Sequence, residues 1–288
     1  MNNVYEIVTS RIVEEMSKGI IPWQRPWHGT NNLAISYETR KPYSLLNQLI
    51  LGRPGEWLTF NQIKAIGGSI KKGAKAGMVT FYKVTPKVVT EVVTNEDGEE
   101  MVQEKTKLSF ILKYYNVFHI EDCDGIQSKS KELPPVENEP IESAENVIGE
   151  YITRDKLSFE SKKSNKAYYS PTDDKVVVPL LEQFNTTEQY YSTTFHELIH
   201  STGHASRLDR KSGMQSFFGN EDYSKEELVA EIGSAMLCGK MGFETEKTFK
   251  NSVAYLQSWI QKLKNDNKMI VLAATAAEKA VKYILNEK

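Results

Sequence analysis

The sequence is poor in several features that would settle its class early. It has only two cysteines in 288 residues, Cys123 and Cys238, with no CxxC pair. That excludes a disulfide framework and a cysteine-built zinc ribbon, and it points to a reducing compartment, the cytoplasm. No run of 18 apolar residues exists, so neither a membrane span nor a membrane partner is expected. No internal repeat is present, which excludes a solenoid or propeller. A secretory leader is not expected either. Val4, Ile7, Val8, Ile12 and Met16 recur at helical spacing with Glu6, Arg11, Glu14 and Glu15 between them, the pattern of an amphipathic helix.

What is present suffices for a packed core, with 40% apolar and 26% charged residues. The length suggests two domains. The net charge of −2 is uninformative, but its distribution is not. Residues 1–90 carry 12 Lys/Arg against 5 Asp/Glu, a balance of +7, whereas residues 91–104 hold six acids and no base. A basic N-terminal part suggests a polyanionic partner. Residues 126–147, IQSKSKELPPVENEPIESAENV, read by composition as a linker. The expected division is 1–125, a mixed α and β domain; 126–147, a linker; and 148–288, a second domain, giving an α+β protein overall.

Helices are expected over 3–18, 43–52 and 59–66. Strands are expected at Met78–Val84 and Val88–Val93, joined through Thr85-Pro86-Lys87, and at Lys107–Val117 after an Asp97-Gly98 turn. In the second half a short helix near 142–153 precedes a hairpin, 167–178, around Pro171-Thr172-Asp173-Asp174. Asn185-x-x-Glu188 and Ser224-x-x-Glu227 read as capping boxes opening helices 186–203 and 224–237. Two more helices fill 246–264 and 267–286.

The chemistry lies in His196-Glu197-Leu198-Ile199-His200. Histidines at i and i+4 leave one helix face together, so both imidazoles can reach one metal ion. Glu197 can stand beside that ion without binding it and take a proton from metal-bound water, the arrangement of a metal-dependent hydrolase of the zincin type. A catalytic zinc site needs a third protein ligand. The extended metzincin pattern fails, because its third histidine would fall on Ser206. His204 is out of register. Glu227-Leu228-Val229-Ala230-Glu231 resembles the gluzincin arrangement, which implies Glu227 as ligand and Glu231 as the carboxylate orienting a ligand histidine. Glu231 as ligand and His204 remain alternatives. The ion is expected to be zinc; nitrogen-plus-carboxylate ligation also accepts manganese or another first-row divalent metal. Val176, Val177 and Val178 are a candidate edge strand for pairing with a substrate. Tyr190, Tyr191 and Arg207 lie near in sequence without a definable role.

The first domain interleaves aromatic and basic residues. Trp23, Arg25 and Trp27 lie in IPWQRPW, and Lys71, Lys72 and Lys75 follow the paired glycines 67 and 68. Aromatic platforms beside lysines are how proteins hold single-stranded DNA without reading its sequence.

Taken together, IPWQRPW, YSLLNQL, WLTFNQI and GGSIKKGAKA, with AYYSPTDDKVVVP, FHELIHSTGHASRLDR and YSKEELVAEIGSAML, resemble the ArdC-type antirestriction proteins of plasmids and other mobile elements. The first group resembles the single-stranded DNA-binding domain shared with TraC-type conjugative primases, the second a zincin-like metallopeptidase domain. The resemblance implies a cytoplasmic protein that binds incoming single-stranded DNA and blunts host restriction. It names no peptide substrate; host restriction components are one class to consider. The alternative is a non-catalytic DNA shield whose metal site is structural.

Overall fold

The computed structural model describes residues 3–18, 22, 33–94, 100–129, 140–210, 221–243 and 253–287. Trp23, Arg25, Trp27 and the Asp97-Gly98 turn lie outside the described residues.

Helix α1 (Val4–Ser17) begins where Asn3 and Glu6 form a reciprocal capping box, and it buries Val8, Ile12, Val13 and Met16 along one stripe. Then come β1 (Ala34–Ser36), α2 (Leu45–Leu51), β2 (Gly55–Leu58), α3 (Phe60–Ala65), β3 (Ser69–Ile70), β4 (Gly77–Thr94), β5 (Glu100–His119) and β6 (Cys123–Asp124). The main sheet has the order β1-β2-β5-β4, with β1 and β2 parallel and the other pairs antiparallel. Trp57 belongs to its core: the indole is 5% exposed, meets His119 edge-on and donates to the Arg53 carbonyl.

The sequence suggested two strands broken at Pro86; instead β4 runs unbroken from Gly77 to Thr94. It is an edge strand, where a missing amide is tolerated. With β5 it forms a long two-stranded ribbon.

The second half contains α4 (Pro140–Asp155), β7 (Ser158–Lys162), β8 (Tyr168–Ser170), β9 (Lys175–Pro179), α5 (Thr187–Ser201), α6 (Glu221–Met241), α7 (Val253–Asn265) and α8 (Met269–Ile284). α4 starts inside the stretch read as linker, with Pro140 at the first helical position, where a missing amide costs nothing. Two caps differ from expectation. Thr186, not Asn185, accepts from the Gln189 amide at the head of α5. α6 begins at Glu221, so Ser224 lies inside the helix and is not its cap. The sheet order is β7-β9-β8, with β7 parallel to β9. β9 is therefore the central strand, with Val176, Val177 and Val178 fully buried, and β7 and β8 form the two edges. Both cysteines are free and buried.

One hydrophobic core spans both halves. Val8, Ile12 and Met16 of α1 and Leu45 and Leu49 of α2 belong to the same cluster as Phe195, Leu228 and Ile270. Polar contacts also cross: Thr9 Oγ1 donates to the Asn267 carbonyl at 2.7 Å, and Glu278 Oε2 accepts from the Leu45 amide at 3.0 Å. A fragment ending near residue 125 would expose the α1 stripe, so binding experiments belong on the full chain.

α5 and α6 approach closely because α6 presents Gly233 and Ser234. A Cβ at Gly233 would stand 2.7 Å from Ile199 Cδ1, and Ser234 Oγ donates to the Ser192 carbonyl at 2.7 Å. Gly233→Val should therefore cost about 1–3 kcal/mol in urea unfolding through overpacking, despite the poor helix propensity of glycine. An unchanged midpoint would contradict this packing.

Candidate metal centre

The helical periodicity of α5 sets out the site. Phe195, Leu198 and Ile199 are fully buried and fix its inward face, while His196 and His200, one turn apart, emerge beside α6. Their Nε2 atoms lie 3.1 Å apart. From α6, Glu227 Oε2 lies 3.6 Å from His196 Nε2 and Glu227 Oε1 3.4 Å from His200 Nε2. These three residues are the group of potential ligands found among the described residues. The His196 and Glu227 side chains keep 21% and 26% exposure, so the cluster opens to solvent.

Of the other sequence candidates, His204 turns away: its Nδ1 pairs with Ser206 Oγ at 2.8 Å. Glu231 sits one turn beyond Glu227 on α6. The carboxylate found at the far nitrogen of His200 is Glu226, whose Oε1 is 3.4 Å from Nδ1. Sequence reasoning missed Glu226. Adjacent helical residues diverge by about 100°, so Glu226 and Glu227 reach the His200 ring from two sides. Arg210 clamps Glu226 with contacts of 2.9 and 3.3 Å and also donates to the Ile199 carbonyl at 2.8 Å. It thereby places a cation at the C-terminal end of α5, where the dipole favours one. Such outer contacts fix the ring and tautomer of a ligand histidine. Glu226→Gln should weaken manganese binding by about 10-fold, the low end for such partners, since an amide oxygen still accepts. Competition with a fluorescent chelator measures this; unchanged affinity would make the contact incidental.

The electrostatics follow from burial and proximity. Burial disfavours charge on His200, but hydrogen bonds to Glu226 and Glu227 outweigh it and raise its pKa to about 9. Burial likewise opposes ionisation of Glu227, yet the two histidines hold its carboxyl well below the usual range. Glu197 is buried and its pKa is raised by that burial, opposed by His196 and His200. The Tyr169 main-chain amide, on edge strand β8, faces the Glu197 carboxylate and favours its charged form.

Tyr191 donates to Glu145 at 2.7 Å and stacks on Phe243, and Tyr190 is buried beside it. Arg207 pairs with Asp174 in the turn between β8 and β9 and donates to the Ser201 carbonyl at 2.8 Å. It ties the end of α5 to the hairpin that carries Tyr169. In the N-terminal half, Lys71, Lys72 and Lys75 are all exposed, and the Lys71 ammonium donates to the Glu121 carbonyl at 2.8 Å.

Comparison with known proteins matches these two halves separately. Residues 2–118 match the family described as the N-terminal domain of anti-restriction factor ArdC, and residues 146–276 match a zincin-like metallopeptidase family. Two Escherichia coli proteins named DNA primase TraC are 31% and 30% identical over 98% of this chain. The chain spans only 20% and 27% of their lengths. An uncharacterized Sinorhizobium fredii protein, y4eC, is 28% identical over 98% of this chain and 91% of its own. The metal-free crystal structure of antirestriction protein ArdC from plasmid R388 superposes with a TM-score of 0.71 at 30% identity, covering 100% of both chains. Its Mn(II)-bound form gives 0.72 at 29%, covering 99% of this chain and 98% of that one. With both domain families in sequence and full-length correspondence to that structure, the chain belongs to the ArdC-type antirestriction family.

Proposed function

We propose that this antirestriction-family protein binds single-stranded DNA through residues 1–125 and carries a peptidase-type hydrolytic site in residues 148–288. The observation that carries the second part is the convergence of two imidazole nitrogens and one carboxylate beside a buried glutamate. His196, His200 and Glu227 would hold a divalent ion; nitrogen-plus-carboxylate donors suit zinc or manganese, and a Mn(II)-bound relative supports that class. Such an ion, when bound, acts as a Lewis acid that makes water nucleophilic near neutral pH. Glu197 has the position to take up the proton at its carboxylate. Burial raises its pKa towards the operating range of a general base, and the Tyr169 amide orients it. Among the described residues, the outer side of β8 pairs with no strand, so it can offer main-chain hydrogen bonds to an extended peptide. β9, flanked on both sides, cannot. Partial exposure of the donors also favours a site with an open position over a closed structural one.

For the first part, the +7 balance of residues 1–90 and the TraC relationship support a nucleic-acid partner. The test is to incubate the full chain with Mn2+ or Zn2+ and a quenched-fluorescent peptide library, and separately with a labelled oligonucleotide. Hydrolysis that stops with chelator and returns with the ion is expected, together with single-strand binding that persists in chelator. Metal and DNA binding without hydrolysis would instead favour the shield reading.

A further inference from the structure

The β4–β5 ribbon segregates its side chains by charge. Residues directly opposite each other share a face, and successive residues alternate faces. In the register of this hairpin, Phe81 faces Lys113, Lys83 faces Ile111, Lys87 faces Lys107 and Val89 faces Lys105. All five lysines of the stretches 77–90 and 105–117 thus fall on one face, and these stretches contain no acid. Within these stretches the opposite face, which pairs Val84 with Phe110 and Pro86 with Leu108, has no charged residue. Near the core that face is engaged: Tyr82 interacts with Tyr5 of α1, and Leu112 is buried.

Solubility does not explain this arrangement. Val84, Val88, Leu108 and Phe110 on the uncharged face are 48–61% exposed, so lysines serving solvation alone would appear there too. Lys87 and Lys107 stand directly opposite, with Lys105 two residues from Lys107 on the same face. At the base of the same face Phe81 and Tyr115 are 43% and 40% exposed, with ring centroids 5.6 Å apart.

We infer that the basic face of the β4–β5 ribbon is a binding surface for single-stranded DNA, with the five lysines on phosphates and Phe81 and Tyr115 as a platform for a base. The inference rests on the single-strand-binding reading above and assigns residues to it. From Phe81 to Val89 the face runs roughly 27 Å, at about 3.4 Å per residue. A flat lysine face with open aromatic rings favours unpaired bases, since duplex bases are already stacked.

The experiment is a salt titration of fluorescence anisotropy on the full chain, with labelled oligo(dT) and a labelled duplex. Replacing Lys83, Lys87, Lys105, Lys107 and Lys113 together with alanine should weaken oligo(dT) binding at least tenfold at about 0.1 M salt. It should also flatten the log–log salt slope by about three units, at about 0.7 per phosphate contact. Phe81→Ala should weaken binding about fivefold or more with that slope unchanged. Should the five-lysine variant unfold, Lys87→Gln with Lys107→Gln must still flatten the slope by about one unit. Wild-type affinity and slope in these lysine variants would overturn the ribbon assignment while leaving single-strand binding intact. No binding by the unaltered protein would overturn both readings. Equal affinity for duplex would contradict the stacking role. Loss of binding to phosphatidylserine vesicles with oligonucleotide binding unchanged would make the face a membrane surface and overturn the assignment.

Discussion

Glu197→Gln should lower metal-dependent hydrolysis by about 10²–10⁴-fold, the span associated with removing a general base, while the protein still binds its ion. Glu197 lies on α5 between the two histidines, buried and close enough for His196, His200 and Glu227 to act on its charge, and it is not among the three donors that meet there. A neutral amide fills the same space and can still accept from the Tyr169 amide, but it cannot take up a proton. The substitution has a second signature. Burial raises the Glu197 pKa, so its ionised form opposes folding once pH exceeds the value of an unfolded glutamate. At pH 7 the metal-free Glu197→Gln protein should therefore melt at or above the wild-type temperature. Loss of ion binding comparable to loss of a histidine would contradict the role assigned to Glu197.

His196→Ala should weaken ion binding by more than about 100-fold, since even outer partners of metal ligands cost about 10–100-fold. Two donors, His200 Nε2 and the Glu227 carboxylate, would remain, one short of a catalytic zinc set. The metal-free fold should survive, because His196 is partly exposed and lies at the mouth of the cluster. Calorimetric titration with Mn2+, beside circular dichroism of the metal-free variant, separates the two effects. A variant that keeps wild-type affinity would mean that the ion sits elsewhere.

These expectations rest on parts of the molecule that differed in legibility. The His196–His200 pairing is local: once residues 187–201 are helical, spacing alone brings the imidazoles together. Glu226 was not legible. Two adjacent glutamates on a helix differ only in direction, and that direction acquires meaning once α6 is laid against α5. The capping-box pattern at Ser224 was misleading, because the helix continues upstream through Glu221. β9 read as an edge because its parallel partner, the polar segment Ser158–Lys162, lacks a hydrophobic strand pattern. The continuity of β4 through Pro86 and the core shared by α1, α2 and the C-terminal helices are tertiary facts. No local window of sequence contains them.

Anomalous diffraction from crystals of the full chain soaked with Mn2+ tests the proposed metal centre most directly. One strong peak is expected, bounded by His196 Nε2, His200 Nε2 and the Glu227 carboxylate, with Glu197 beside it and Glu226 on His200 Nδ1. A peak held by Glu226, Glu231 or His204 in place of Glu227, or no peak at this cluster at saturating manganese, would contradict it.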